Sequence, residues 1–313
     1  MHVTLLGQHA HHAARLRPLL GPAHEVVAME QLPAEGPIAS DVLVSFRMPA
    51  QEAARVRCRL LQVPGAGLDA IALDALPPSV RVCNVFEHEI PIAEFVVHAV
   101  LDHAIFPQPA APVDPAHWPQ AYLQRPFHGE AHGRRAAIIG FGAIGRATAV
   151  RLRALGMHVT AVTRGSRPAE DADAHVNVAH LDALLPQVDV LVLCCPLTEQ
   201  TRGMIGVAQL AAMRRDALLV NVGRGPLVQD AALYEALVER RIGRAVIDVW
   251  YQYPAAGETE LAPSAFPFHT LPNARCTPHI SGWTHGLLDR RYAVIARNIE
   301  RLQAGEPLLN VVR

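Results

Sequence analysis

The chain has 313 residues, enough for two domains of ordinary size, each with its own core. Half of it is apolar and 18% is charged, with a formal net charge of -1, so a disordered chain is excluded and neither nucleic acid nor a membrane is expected as a partner. Lysine is absent, which excludes Schiff-base catalysis, pyridoxal phosphate attachment and a Walker-type phosphate loop.

In chain order, Val3–Leu6, Asp41–Phe46, Leu60–Val63 and Val80–Val82 read as short strands. Helical spacing occupies His9–Leu20 and Gln51–Arg59 between them, an alternation that implies a parallel sheet covered by helices. His9, His11 and His12 read as a solvated face of the first helix, and no metal site is expected. After Pro91, Ile92–Phe106 is apolar enough for a buried helix. Pro107 to Pro126 holds six prolines with Trp118 and Tyr122. It cannot continue a helix or strand and reads as either an arm packing on the second subunit of a homodimer or an ordered surface loop, with the aromatics favouring the arm. From Arg135 the alternation strengthens: strands at Ala136–Ile139, His158–Thr163, Val188–Cys194, Ala217–Asn221, Ala245–Val249 and Arg275–Thr277, helices at Ala143–Leu155 and Asp230–Arg240. A last helix, Gly286–Ala304, stops at Gly305 with Pro307 beyond.

The five cysteines (Cys58, Cys83, Cys194, Cys195, Cys276) form no CxxC pair and mostly lie in or beside apolar runs. That is the pattern of reduced core thiols in a cytoplasmic protein. The opening apolar run is too short for a signal peptide, and no stretch approaches the roughly 18 apolar residues of a membrane span.

The strongest local motif is Gly140-Phe141-Gly142-Ala143-Ile144-Gly145, a GxGxxG that follows a strand and opens a helix. Gly140 permits the tight turn, Gly142 lets a pyrophosphate approach the backbone, and Gly145 lets helix and sheet pack closely. The next strand ends at Thr163-Arg164 with no acidic residue for a ribose 2′-hydroxyl. Arg164, with Ser166 and Arg167 nearby, suits a 2′-phosphate, which leans the cofactor to NADP over NAD.

This turn is followed, in order and spacing, by Cys195-Pro196-Leu197-Thr198 with Thr201, Asn221-Val222-Gly223-Arg224-Gly225, Asp248-Val249 and Thr277-Pro278-His279. Together with Val63-Pro64-Gly65-Ala66-Gly67-Leu68-Asp69 and Ile92-Ala93-Glu94 upstream, the set resembles the D-isomer-specific 2-hydroxyacid dehydrogenases over most of the chain. The resemblance implies an α/β architecture of two Rossmann-like, doubly wound parallel-sheet domains with a cleft between them. Residues 1–98 and 284–313 would bind substrate, and 99–283 the dinucleotide. It implies that Arg224 binds the substrate carboxylate and polarises the carbonyl, and that His279 exchanges a proton with the 2-oxygen. The amides of Ala66 and Gly67 would hold the carboxylate, and Arg47, just past a strand, would meet any second anionic group or serve as a surface arginine. The turn, Thr163, Arg164, Ser166, Cys195, Pro196, Thr201, Val222, Asp248, His279 and Gly282 would line the cofactor, with Asp248 on the nicotinamide side.

One departure stands out. The family places a glutamate five residues after the aspartate of Asp-Val, where its charge keeps the histidine protonated. Here Tyr253 occupies that position, preceded by Gln252. The candidate catalytic set is therefore Arg224, His279 and Tyr253. Another carboxylate (Glu87, Glu89 or Glu258) takes the glutamate's place, or the histidine works unassisted, or the reaction needs no proton donor. Glutamine near this position and the run Thr277 to Gly282 resemble formate dehydrogenases, but His88 replaces the asparagine those enzymes use. The expected activity is hydride transfer between NADP or NAD and a small anionic 2-hydroxy or 2-oxo acid, as in glyoxylate/hydroxypyruvate reductases. The alternatives are a hydride donor of formate or phosphite type, and a cofactor-sensing binding protein with little turnover.

Overall fold

Short runs of valine, leucine and isoleucine form two parallel sheets in a computed structural model that describes residues 1–105, 114–165, 170–255 and 257–313. The chain divides into two units, Met1–Glu87 with Thr284–Arg313, and His88–Trp283.

The first unit contains β1 (His2–Leu6), β2 (Glu25–Met29), β3 (Ile38–Ala39), β4 (Val42–Val44), β5 (Val56–Arg57), β6 (Leu60–Gln62) and β7 (Arg81–Cys83). Its main sheet has the order β2-β1-β4-β6-β7, with β3 and β5 as a separate pair. Every pairing is parallel. β1, β4 and β6 are almost wholly buried, as parallel strands covered on both faces must be. One cover comes from the far end of the chain. The helix His285–Ala304 places Leu288, Tyr292, Ile295, Ile299 and Leu302 on one face, against Val3, Leu5, Val42, Val44 and Leu60. Thr284 caps its start by accepting from the Leu287 amide at 3.1 Å, and Gly305 ends it at φ 72°. Buried Asn298 donates to Gln62 Oε1 at 2.8 Å and accepts from the Leu309 amide at 2.7 Å, so the polar groups at this contact are satisfied.

The second unit contains β8 (Arg135–Ile139), β9 (His158–Thr163), β10 (Ala174–Asn177), β11 (Val190–Leu193), β12 (Leu218–Asn221), β13 (Arg244–Ile247) and β14 (Ala274–Cys276). They form one parallel sheet in the order β10-β9-β8-β11-β12-β13-β14, which reverses direction of growth between β8 and β11. Parallel sheets bind ligands beyond the carboxyl ends of their strands at such a reversal.

Several expectations are corrected. The helix Glu89–Ile105 packs Ile92, Val96 and Val100 with Ala149 and Leu152 of helix Ala143–Ala154, so the first unit stops at Glu87 and a boundary at 98 would cut this helix. His9–Leu20 is three short turns, 3-10 at Gly7–His12, α at Ala13–Leu16 and 3-10 again at Arg17–Leu19, with Pro18 ending regular hydrogen bonding. His9 is not solvated: it is 4% exposed, with Nδ1 at 2.7 Å from the Tyr292 hydroxyl. Gln51–Arg59 is helical only through Ala53, because the chain then pairs as β5. The edge strand β10 is half-buried and lacked an apolar run to announce it; β2, at the edge of the other sheet, is also half-buried and was missed although it contains Val26–Met29. Trp118–Leu123 is a helix despite Pro119, whose missing amide falls in the first turn where no intrahelical partner exists. Phe106 and residues 107–113 of the expected arm lie outside the described residues.

Candidate active site

The glycine turn follows β8 directly, and its three glycines are required in three different ways. Gly140 has φ 93°, and a Cβ there would sit 2.6 Å from the backbone N and Cα of Cys195. A Cβ on Gly145 would lie 2.3 Å from the Gly140 carbonyl oxygen, so only glycine lets the helix begin against the turn. Gly142, by contrast, faces open space: nothing lies within 4 Å of its Cβ position. It is the N-cap of helix Ala143–Ala154, which has no side-chain cap and no acidic residue in its first turn. The first amides of that helix have no intrahelical partner, and the helix dipole favours an anion beside them.

Beside the turn is a cavity of about 470 Å³ at the carboxyl ends of β8, β9 and β10 and the segment after β11. It brings together Gly140, Phe141, Thr163, Arg164, Cys195, Pro196 and Thr201 of the sequence-derived set. Thr198 of the quoted motif also lines it, as do Asn177 and Gln200, which were missed because β10 itself was missed and Gln200 belongs to no motif. Asn177 donates to the Arg164 carbonyl at 2.9 Å, and Arg164 Nη1 donates to Gln200 Oε1 at 3.5 Å. Thr163 Oγ1 lies 2.8 Å from His175 Nε2. No acidic residue is among these lining residues. Burial raises the thiols of both Cys194 and Cys195, the latter to about 11; Cys195 lines the cavity, while Cys194 Sγ donates to the Gly140 carbonyl at 2.9 Å. Thr201 Oγ1 accepts from the Thr198 amide at 2.8 Å and donates to the Pro196 carbonyl at 2.8 Å, fixing that loop. Ser166 lies outside the described residues. The open cap at Gly142, the glycine-only contacts and the cavity fit a dinucleotide.

The remaining candidates follow the next three strands. Val222 and Arg224 come after β12, Asp248 after β13, and His279 after β14. Asp248 is fully buried and accepts from Thr277 Oγ1 at 2.6 Å, the Ile280 amide at 2.8 Å and the Ser281 amide at 3.0 Å. It therefore holds the loop that carries His279 and runs on to Gly282. Trp250 Nε1 donates to the Thr277 carbonyl at 2.9 Å and ties the same loop from the other side. Within this clamp His279 adopts φ 58°, a left-handed backbone that a non-glycine residue keeps only when its surroundings hold it there.

Tyr253 Oη lies 3.0 Å from His279 Nδ1 and accepts from the Trp250 amide, also at 3.0 Å. Of the carboxylates considered for the glutamate's place, Glu258 accepts from the Ala255 amide and Glu87 pairs with Arg290 at 3.3 Å. Glu89 lies in the first turn of its helix. The phenol holds the position next to the ring. Partial burial pulls the His279 pKa below the usual histidine value; the Asp248 carboxylate opposes this and the Arg224 guanidinium adds to it. Arg224 Nη1 donates to the Gly223 carbonyl at 2.8 Å.

In the first unit, Arg47 follows β4 and is exposed, while Ala66 and Gly67 follow β6. Asn84 Nδ2 donates to the Ala66 carbonyl at 3.0 Å, and a Cβ on Gly65 would lie 2.3 Å from the Phe46 ring, which would have to shift to admit it. The Ser45 hydroxyl donates to the Arg47 carbonyl at 2.7 Å and shapes that turn.

Residues 110–281 match the family described as D-isomer specific 2-hydroxyacid dehydrogenase, NAD binding domain. A glyoxylate reductase of Thermococcus kodakarensis is 33% identical over 177 residues, 56% of this chain and 51% of that protein. A glyoxylate/hydroxypyruvate reductase B of Enterobacter agglomerans is 37% identical over 177 residues, with the same shares of 56% and 51%. The chain spans about half the length of the curated relatives it matches. A crystal structure of a D-isomer specific 2-hydroxyacid dehydrogenase from Xanthobacter autotrophicus, in complex with NADPH and MES, aligns with 99% of this chain and 98% of its own. Its TM-score is 0.76 at 27% identity.

Proposed function

We propose that this chain, which belongs to the D-isomer specific 2-hydroxyacid dehydrogenase family, reduces a small 2-oxo acid of glyoxylate or hydroxypyruvate type with a nicotinamide dinucleotide. The observation that carries the reading is one sheet with the glycine turn after β8 and Arg224 and His279 after β12 and β14. The bound nicotinamide would supply a hydride to the carbonyl carbon. Arg224 would pair with the carboxylate through its planar fork, and His279 would serve the carbonyl oxygen. Ala66, Gly67 and Arg47 are the proposed further binders of the substrate's anionic groups. Asp248 and Trp250 would keep the His279 loop in place without touching substrate.

NADP is the favoured cofactor. Arg164 at the end of β9, a cavity lined by no acid, and a relative in complex with NADPH support it. Trp118 and Tyr122, each 50% exposed, with Leu123 at 79% and Phe127 fully exposed, support a homodimer built on this segment. Free cysteines with raised thiols fit a reducing cytoplasm. No described helix is long and apolar enough to cross a membrane.

The test is consumption of NADPH and NADH by the purified protein with a panel of 2-oxo acids, repeated with Arg224→Ala. Turnover that the substitution abolishes supports the reading. Tight cofactor binding with no turnover of any acid would replace it with a cofactor-sensing role.

A further inference from the structure

A carbonyl that gains an electron pair at carbon must gain a proton at oxygen, and the hydrogen bonds around His279 restrict where that proton can come from. The Trp250 amide can only donate, and it donates to Tyr253 Oη at 3.0 Å. Accepting there leaves the phenol's own hydrogen available to His279 Nδ1, 3.0 Å away, when the ring takes the tautomer that accepts at Nδ1. Nδ1 is then an acceptor, and the hydrogen of the neutral ring resides on Nε2. The charged groups of the second unit that act on the ring are Asp248 and Arg224, of opposite sign, and the Asp248 carboxylate already accepts three hydrogen bonds from the loop that carries His279. A protonated ring would donate from Nδ1 to an oxygen that already accepts from Trp250, and would turn the phenol hydrogen away to solvent. A neutral ring, however, cannot release its Nε2 hydrogen unless Nδ1 receives one in the same step.

The geometry points to a two-proton relay, in which Tyr253 passes its phenol proton to His279 Nδ1 as the ring passes its Nε2 proton to the substrate's carbonyl oxygen. This rests on the reading of the site as a 2-oxo acid reductase. The bonds balance as follows. Oη–H and Nε2–H break, and Nδ1–H and the hydroxyl O–H of the product form. The imidazole stays neutral with its tautomer exchanged, and the negative charge developed on the substrate oxygen ends on Tyr253 as phenolate. The two electrons come with the hydride of the reduced nicotinamide. The phenolate keeps the Trp250 hydrogen bond and lies in the field of the Arg224 guanidinium, which the Asp248 carboxylate opposes. Tyr253 is 50% exposed, so water returns its proton. Burial holds the phenol above the usual tyrosine range before the step, so it is a loaded donor at neutral pH. Tyr253 thus acts through His279 as a positioning and proton-supplying residue. It replaces a charged partner that would keep the ring cationic.

Nitrogen NMR of protein with labelled histidine tests the resting arrangement without turnover, with His279→Asn identifying the ring among the 17 histidines. The relay requires the Nε2–H tautomer at pH 7 to 8, and loss of that preference in Tyr253→Phe. The pH profile of kcat for reduction tests the step. The wild-type value stays level above the titration of His279, whereas the Tyr253→Phe value falls about tenfold per pH unit there, as proton supply from the cation alone dictates. A solvent-isotope proton inventory shows two transferred protons in the wild type and one in Tyr253→Phe. An Nδ1–H ring, or a Tyr253→Phe profile parallel to the wild type, overturns the relay alone. Failure of the wild-type protein to reduce any 2-oxo acid overturns the reductase reading and the relay with it.

Discussion

Arg224 and His279 carry different kinds of risk when changed. In the proposed role the planar fork of Arg224 would meet the substrate carboxylate, so Arg224→Lys, which keeps the charge and loses the fork, is expected to lower kcat/KM by about 10²-fold. Arg224→Ala should cost about 10³-fold or more, since a buried anionic substrate group is then left unpaired. Steady-state kinetics with the best 2-oxo acid checks both. At His279 the sign of the pH effect follows from the neighbours. Its pKa is held below the ordinary value, so the cationic ring is lost early as pH rises. Tyr253→Glu places an anion beside Nδ1 and raises that pKa, so the falling limb that Tyr253→Phe shows in the reduction profile should lie about 1 to 3 pH units higher in Tyr253→Glu. An unchanged limb would show that residue 253 does not face the ring in solution.

At the scale of elements, the glycine turn separates folding from binding. Gly140→Ala forces a side chain into φ 93° and against the Cys195 backbone, and should destabilise the second unit by about 2 to 3 kcal/mol or prevent its folding. Gly142→Asp has room for its Cβ but sets a carboxylate at the helix start. It should leave the melting temperature close to wild type while weakening dinucleotide binding about tenfold or more, because like charges then meet at the anion site. Thermal melts beside cofactor titrations distinguish the two. Arg164→Ala should lower the preference for NADPH over NADH by about tenfold, the worth of one charge-assisted contact to phosphate. An equal loss for both cofactors would leave the arginine a structural part of the β9 loop with Gln200.

The whole molecule depends on contacts between the two ends of the chain, because β1 and the helix His285–Ala304 share one core. His9 and Tyr292 meet there, 283 residues apart. Burial, with His12 and Arg291 nearby, lowers the His9 pKa from 6.5 to about 3. The unfolded chain therefore binds a proton that the folded chain refuses. The stability held by neutral His9 is complete above about pH 6.5 and is lost as pH falls toward 3, at about 1.4 kcal/mol per pH unit for this one group. His9→Asn should flatten that dependence in urea midpoints measured between pH 7 and pH 5. A second whole-molecule expectation concerns assembly. Leu123→Glu with Phe127→Glu should shift a dimer to monomer in light scattering, since both side chains are exposed apolar surface.

Sequence alone determined the two-sheet α/β class, the glycine turn, and the order of the strand-end residues. Parallel strands buried on both faces appear as apolar runs, and a glycine turn needs glycine for reasons visible within six residues. The edge strands β2 and β10 were not read: β10 carries no continuous apolar run, while β2 holds only the short run Val26–Met29 and is half-buried. Nor was the burial of His9, whose partner is remote in the chain. The sequence could place Tyr253 where a glutamate is expected, but not what it does. Only the tertiary structure set its hydroxyl between the Trp250 amide and His279, because the direction of a hydrogen bond depends on which groups converge in space.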